Sequence, residues 1–202
     1  MKKPTTQEKK VLSMAKSLGI LRVKDLLASG IHPEHIRRLC RKGQLVQNGR
    51  GLYRLADTDV SENITLAAIA RRFPHGVICL LSALRFHGIG TQNPPDVWIA
   101  FKRGTARPKG RDLPLRVMWF SPASFTAGTE SLTTDGVRVR VTNPAKTVAD
   151  CFKYRNKVGM DVALEALRES IRRRKCTQDE IWKYAKVCRI ANVMRPYLES
   201  VE

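Results

Sequence analysis

The stretch SGIHPEHIRRLCRKGQLVQNGRGLYRL, residues 29–55, determines how the first part of this chain folds. Pro33 suits the first turn of a helix, because the missing N–H of proline costs nothing there. Ile36 and Leu39 are three residues apart and predict a stripe that faces inward. Gly43 can adopt the positive φ at which many helices end. We therefore predict a short helix between Pro33 and Gly43.

A β-hairpin is predicted directly after this helix. Residues 45–47 and 52–55 are short extended runs on either side of the turn sequence NGRG. Upstream, apolar residues at helical spacing predict helices over residues 7–17 and 23–29. Two helices, a basic helix and a basic-tipped hairpin form a winged helix-turn-helix, which places the basic helix in the major groove of DNA and the wing along the phosphates.

The basic and polar side chains of this segment are the candidate DNA contacts. Arg37 and Arg41 are four residues apart and share a helix face, so we expect them to read base edges, whereas Arg38 is expected to contact a phosphate. A solvated charged face has the same composition, and this alternative stays open. The complete set predicted to contact DNA is His35, Arg37, Arg38, Arg41, Lys42, Gln44, Arg50 and Arg54.

The charge of the chain favours a polyanionic partner. Among 202 residues, 37 are Lys or Arg and 18 are Asp or Glu, which gives a formal charge of +19. Residues 1–56 alone carry 13 basic and 3 acidic side chains. Such a segment associates with double-stranded DNA largely through the release of counterions. The charge is therefore concentrated where the winged helix is predicted.

Cysteine usage and hydropathy indicate neither a metal site nor a membrane segment. No two of the five cysteines have CxxC spacing, and the histidines supply no second pair of zinc ligands. No apolar run is long enough to span a bilayer, and the basic N-terminus lacks the apolar core of a secretory signal. We expect a cytoplasmic protein with reduced thiols, no metal and no cofactor.

A polar stretch, DTDVSEN, separates the predicted winged helix from the rest of the chain. We place the winged helix at residues 1–56, a linker at 57–63 and a second domain at 64–202. Apolar runs at residues 97–101 and 115–120 read as strands, and the last third of the chain is helical. The predicted class is α+β: a winged helix followed by a larger α/β domain, whose small, mostly antiparallel sheet is covered by helices.

The sequence does not indicate an enzyme, and no catalytic residue is predicted. Ser82 and His87 could form a nucleophile and base, but no GxSxG turn accompanies them. The only Glu-x-Lys triplet of a nuclease type begins at Glu8, in the N-terminal tail, and no phosphate-binding loop of the GxxxxGK(S/T) type is present. Asp150 is expected to pair with Lys146 at i,i+4.

Three segments in order resemble a known family: GRGLYRL at residues 49–55, LLSALRFHGI at 80–89 and NPAKTVADCF at 143–152. This order is similar to the AbiEi-type antitoxins of type IV toxin–antitoxin systems. The resemblance implies a bipartite protein with a role in phage defence. Its winged helix binds inverted repeats in its own promoter and represses the operon. Its C-terminal domain opposes a nucleotidyltransferase toxin, and whether the two proteins touch is left open.

Two further expectations concern the partners. The resemblance places an antitoxin surface in the second domain, where Arg138, Arg140 and Lys146 are the candidates, with a purely structural role as the alternative. We expect a monomer in solution that binds DNA cooperatively. The second reading of the whole chain is a stand-alone winged-helix transcription factor, whose C-terminal domain senses a ligand or a partner.

Overall fold

The structure is a computed structural model that describes residues 5–200 apart from residues 60, 107 and 109–112. The chain divides into two compact units. Unit 1 runs to Pro74 and includes Thr133–Val139, whereas unit 2 comprises His75–Leu132 and the chain from Arg140 onward. Each unit has its own apolar core.

Unit 1 contains the predicted helices and hairpin. Its strands form an antiparallel sheet in the order β1-β3-β2. Helix α3 ends where expected, since Gly43 follows it with a φ of +68°. The elements are α1 (Thr6–Leu18), β1 (Leu21–Arg22), α2 (Val23–Ala28), α3 (Glu34–Arg41), β2 (Leu45–Gln47), β3 (Leu52–Leu55) and α4 (Ile64–Arg72).

The core of unit 1 holds helix α3 in place. Ile36 and Leu39 of α3 are buried against Val11 of α1, as their three-residue spacing predicts. Thr5 and Glu8 form a capping box that begins α1, because each side chain accepts a hydrogen bond from the backbone N–H of the other residue. The apolar face of α3 is thus turned inward, and its arginines are left on the outer face.

Helix α4 belongs to unit 1 although it follows the predicted linker. The Arg71 guanidinium donates a hydrogen bond to the Ile20 carbonyl oxygen at 2.8 Å and pairs with the Asp25 carboxylate at 2.7 Å. These partners are about fifty residues away in sequence, and no local sequence pattern predicts the contacts. The contacts of Arg71 therefore attach α4 to elements that precede the predicted linker in the chain.

The rest of the chain contains a second sheet and most of the helices. The sheet has five strands in the order β6-β5-β4-β8-β7. The elements are β4 (Val77–Ile78), α5 (Leu80–His87), β5 (Val97–Lys102), β6 (Leu115–Phe120), α6 (Pro122–Thr126), β7 (Thr129–Thr134), β8 (Val137–Thr142), α7 (Pro144–Lys153), α8 (Arg155–Val158), α9 (Met160–Arg172), α10 (Gln178–Val187) and α11 (Ala191–Glu199).

The α+β class is confirmed, but the second sheet is not the small, mostly antiparallel one that we predicted. Strands β4 and β5 pair antiparallel, whereas β4 pairs parallel with β8 and β5 pairs parallel with β6. Residues 103–114 join β5 to β6, and a connection of that length is long enough for two consecutive strands to pair in parallel. Alternation and apolar content predict a strand but carry no information about its direction.

Helix α7 is the central helix of unit 2. It packs against α5, α9 and α10, and every residue from Ala145 to Phe152 is buried. Asn143 caps its N-terminus by accepting a hydrogen bond from the Lys146 backbone N–H at 2.8 Å. Pro144 occupies the first turn, where proline is tolerated. The NPAKTVADCF segment is thus the most enclosed helix of this unit.

Candidate DNA-binding surface

The three arginines of α3 form an exposed cationic face. The side chains of Arg37, Arg38 and Arg41 are 80%, 52% and 72% exposed. Long cationic side chains that are this accessible can reach phosphates and base edges without any change in the fold. One short helix thus presents three of the side chains that the sequence predicts to contact DNA.

Glu34, which was not among our predicted site residues, lies at the centre of these arginines. Its carboxylate is 3.0 Å from the Arg41 guanidinium, 3.5 Å from that of Arg37 and 3.8 Å from that of Arg38. The spacing of three, four and seven residues along one helix was the available signal, because such positions are neighbours on a helix surface. Glu34 also lies in the first helical turn, where a negative charge complements the helix dipole.

Lys42 has a different role from the exposed arginines. Its ammonium donates to both carboxylate oxygens of Glu8, at 2.9 and 3.0 Å, and the Glu8 side chain is only 2% exposed. Lys42 is also the C-cap residue, directly after the last residue of α3. This ion pair therefore joins the C-terminal end of α3 to the start of α1, and the hydrogen bonds from Lys42 lower the pKa of Glu8.

Replacing Glu8 by glutamine is expected to destabilise the protein at neutral pH and to have little effect in acid. Because the folded-state pKa of Glu8 is lowered, its contribution is complete above the pKa of an unfolded glutamate, about 4.3, and is lost as the pH falls through the lower folded value. Thermal midpoints of the wild type and Glu8→Gln, measured from neutral pH into acid, check this. A difference that stays constant across the range contradicts it.

His35 and Gln44 are half-buried at the two ends of this region. The Nδ1 atom of His35 and the Oε1 atom of Gln44 are buried, and neither has a hydrogen-bond partner within the part of the chain that the structure describes. His35 is on α3, and Gln44 lies between α3 and β2. Both residues are close in sequence to the exposed arginines, but their side chains are less accessible than those of the arginines.

The wing places its two arginines differently. Arg50 lies exposed at the tip between β2 and β3. Arg54, by contrast, donates from Nη1 to the carbonyl oxygens of Leu55 and Thr58, at 3.0 and 3.3 Å. The Asn48 backbone N–H closes the hairpin by donating to the Leu52 carbonyl oxygen at 2.9 Å. Arg50 is thus available to a phosphate, and Arg54 holds the chain that leaves the wing.

Residues 10–56 match a family model described as a transcriptional regulator, the AbiEi antitoxin. Over this segment the chain is similar to the AbiEi antitoxin regulators. The match begins inside α1 and ends just after β3, so it includes α3 and the whole wing. The resemblance stated from sequence is confirmed over these residues.

A solved structure is similar to the whole chain. It is the crystal structure of the RV2827C protein from Mycobacterium tuberculosis, with a TM-score of 0.57 and 13% sequence identity. The alignment covers 100% of this chain and 84% of that chain, and at this identity it shows the fold alone. None of the curated proteins compared matches the chain in sequence.

Outside the segment that matches the family model, one predicted surface residue is not on the surface. Lys146 was predicted to be part of an antitoxin surface, but its side chain is fully buried. Its ammonium lies 2.5 Å from the Asp150 carboxylate, as the i,i+4 spacing predicts, and 4.9 Å from the centre of the Phe120 ring. The prediction was wrong because α7 is covered on every side by other elements, which the spacing of its residues does not reveal.

The other two residues of that predicted surface differ in exposure. Arg138 is exposed on β8. Arg140 is half-buried: it donates to the His75 carbonyl oxygen at 3.2 Å and lies over the Phe125 ring, 5.3 Å from its centre. Arg138 therefore remains the accessible cation of the set, and Arg140 has contacts within its own unit.

The Ser82 and His87 side chains have separate partners. Ser82 Oγ accepts a hydrogen bond from the Trp98 backbone N–H at 2.9 Å and thereby fixes the start of β5. His87 Nε2 donates to the Thr142 carbonyl oxygen at 2.7 Å, and burial lowers the pKa of His87. Thr147 donates to the same carbonyl at 3.0 Å. The Thr142 carbonyl oxygen thus links residues 80–89, which contain His87, to residues 143–152, which contain Thr147. The Ser82 and His87 side chains each have a partner in the fold.

Among the described residues, no three His, Cys, Asp or Glu side chains are grouped closely enough to hold a metal ion. Within the same part of the chain, no helix is both long and apolar enough to cross a bilayer.

Proposed function

We propose that this protein is the antitoxin of a type IV, AbiE-like toxin–antitoxin system and represses its own promoter by binding inverted repeats. The observation that carries the proposal is the exposed arginine face of α3, which lies inside the segment that matches the AbiEi regulator model. A net charge of +19 adds a general attraction to DNA. We assign the protein to the cytoplasm and to phage defence on the same grounds.

Each side chain of the surface has a proposed role. Arg37 and Arg41 read base edges in the major groove, and Arg38 contacts a phosphate beside them. Arg50 contacts a phosphate from the tip of the wing. His35 and Gln44 are secondary contacts at the edge of the helix. Lys42 and Arg54 act indirectly, because their partners are Glu8 and the backbone after the wing.

The second part of the proposal assigns antitoxin activity to the C-terminal part of the chain, against a nucleotidyltransferase toxin. The structure modifies the design of the test. A fragment that ends at residue 56 lacks α4 and residues 133–139, which belong to unit 1. Full-length variants are therefore the appropriate proteins, and expression from an unrelated promoter removes the effect of autorepression on protein level.

The double variant Arg37→Ala/Arg41→Ala is expected to protect cells from the toxin of the adjacent reading frame as well as the wild type does. Both side chains are on the DNA-facing helix, and neither is a core residue. Growth after induction of the toxin, at matched antitoxin levels, is the measurement. Loss of protection in the double variant contradicts the division of labour. If the wild type itself gives no protection, the protein is a stand-alone regulator.

The oligomeric state follows the same proposal. We propose a monomer in solution that binds successive repeats cooperatively. Repeated half-sites allow each bound copy to favour the next without a stable dimer in free solution. Light scattering of the free protein, combined with stepwise shifts on a promoter that contains both repeats, separates this arrangement from a preformed dimer.

A further inference from the structure

The only carboxylate of α3 lies among the three exposed arginines of that helix. Glu34 is the single acidic residue in the helix sequence EHIRRLCR, and its carboxylate is within 4 Å of the guanidiniums of Arg37, Arg38 and Arg41. The Glu34 side chain is 32% exposed, so it is not enclosed by the fold. In the free protein, one carboxylate therefore partly neutralises the face that is proposed to bind DNA.

This arrangement has a cost when the helix meets DNA. The phosphates compete with Glu34 for the same guanidiniums, and the displaced carboxylate then faces a polyanion. Like charges brought together at an interface weaken binding to any partner that does not offset the repulsion. At DNA of arbitrary sequence nothing offsets this repulsion.

A particular base sequence can offset it. Cytosine N4 and adenine N6 present amino groups in the major groove, and a carboxylate accepts hydrogen bonds from such groups. Glu34 is in the first turn of α3, the end of a recognition helix that contacts base edges. A carboxylate at this position is thus hydrogen-bonded to a base amino group on one DNA sequence, and on other sequences it is only repelled by the phosphates.

We propose that Glu34 is a specificity-determining residue of this surface, which weakens binding to DNA in general and accepts a base amino group at the operator. The inference rests on the proposed function, since it needs α3 to be the helix that enters the groove. Its ion pairs also hold the three arginines in a defined arrangement before binding. The carboxylate therefore acts both as a competitor for the cations and as a reader.

The full-length Glu34→Gln variant tests the proposal. Two duplexes of equal length are titrated at several salt concentrations, one from the promoter of the gene and one with the same bases scrambled. We expect the variant to bind the scrambled duplex about tenfold more tightly, and to bind the promoter duplex within about twofold of wild type, so that selectivity falls. The salt dependence on scrambled DNA becomes steeper by about one unit of slope, because one negative charge has been removed.

Two controls separate specificity from net charge and from folding. Glu62→Gln makes the same charge change at an exposed position outside α3, and we expect it to change both affinities by the same small factor. Thermal unfolding of Glu34→Gln verifies that the variant is folded. If the wild type is selective, an equal gain in affinity of Glu34→Gln for both duplexes overturns the role of Glu34. No change in affinity for either duplex overturns it too. A wild type without selectivity overturns the proposed function as well.

Discussion

Replacing Lys146 by alanine is expected to lower the free energy of unfolding by about 3–5 kcal/mol, the usual cost of breaking a buried ion pair. Both side chains of the pair are completely buried, and their charged atoms are 2.5 Å apart. Burial already raises the pKa of Asp150, and Lys146 is the main group that opposes this shift. Without Lys146 the carboxylate must be protonated or remain charged in an apolar core. Chemical denaturation at neutral pH measures the loss.

Two further variants make this expectation specific. Lys153→Ala removes a lysine from the same helix, but that side chain is partly exposed, and we expect a loss below about 1 kcal/mol. The double change Lys146→Met/Asp150→Leu removes both charges and is expected to recover most of the stability. A Lys146→Ala protein that is as stable as the Lys153→Ala control contradicts the burial of this pair.

The double variant Arg37→Ala/Arg41→Ala is expected to lose its preference for the promoter while remaining folded. A base-reading arginine contributes about 1–3 kcal/mol of discrimination, so loss of both reduces promoter affinity by roughly 2–6 kcal/mol if the effects add. Their high exposure indicates that the fold does not depend on them. Competitive gel shifts on promoter and scrambled duplexes measure the change in selectivity.

Lys9→Ala/Lys16→Ala is the matched control for this experiment. Both lysines are exposed on α1, within unit 1, and their removal lowers the net charge by the same amount. We expect the control to weaken binding to both duplexes by similar factors and to keep selectivity. If the two double variants behave alike, general charge rather than the face of α3 determines binding.

Helix α3 and the hairpin after it were predictable because their sequence signals are local. Pro33 and Gly43 bound α3, the apolar spacing of Ile36 and Leu39 identifies its inner face, and the turn sequence NGRG closes the hairpin. A helix dipole, a cap or a tight turn involves residues within a few positions of each other. Local sequence is sufficient for such features, and α3 and its wing consist almost entirely of them.

Features that depend on distant residues were not predictable in the same way. Lys146 and Asp150 were expected to pair, but their burial comes from elements that pack on α7 from elsewhere in the chain. The ion pair between Lys42 and Glu8 joins residues 34 positions apart. The contacts that place α4 in unit 1 join Arg71 to residues about fifty positions away. The parallel pairing of β5 with β6 belongs to the same class. Composition and spacing do not contain these contacts, since only the folded chain brings the partners together.

A gel-shift titration of the full-length protein against the DNA upstream of its own gene is the decisive measurement. A large excess of unrelated competitor DNA must be present, because a protein of charge +19 binds any duplex at low salt. We expect discrete, stepwise shifts that persist in the competitor, one step for each occupied repeat. A smear that the competitor abolishes contradicts a regulator that recognises its own promoter, and leaves the exposed arginines of α3 as a general cationic surface.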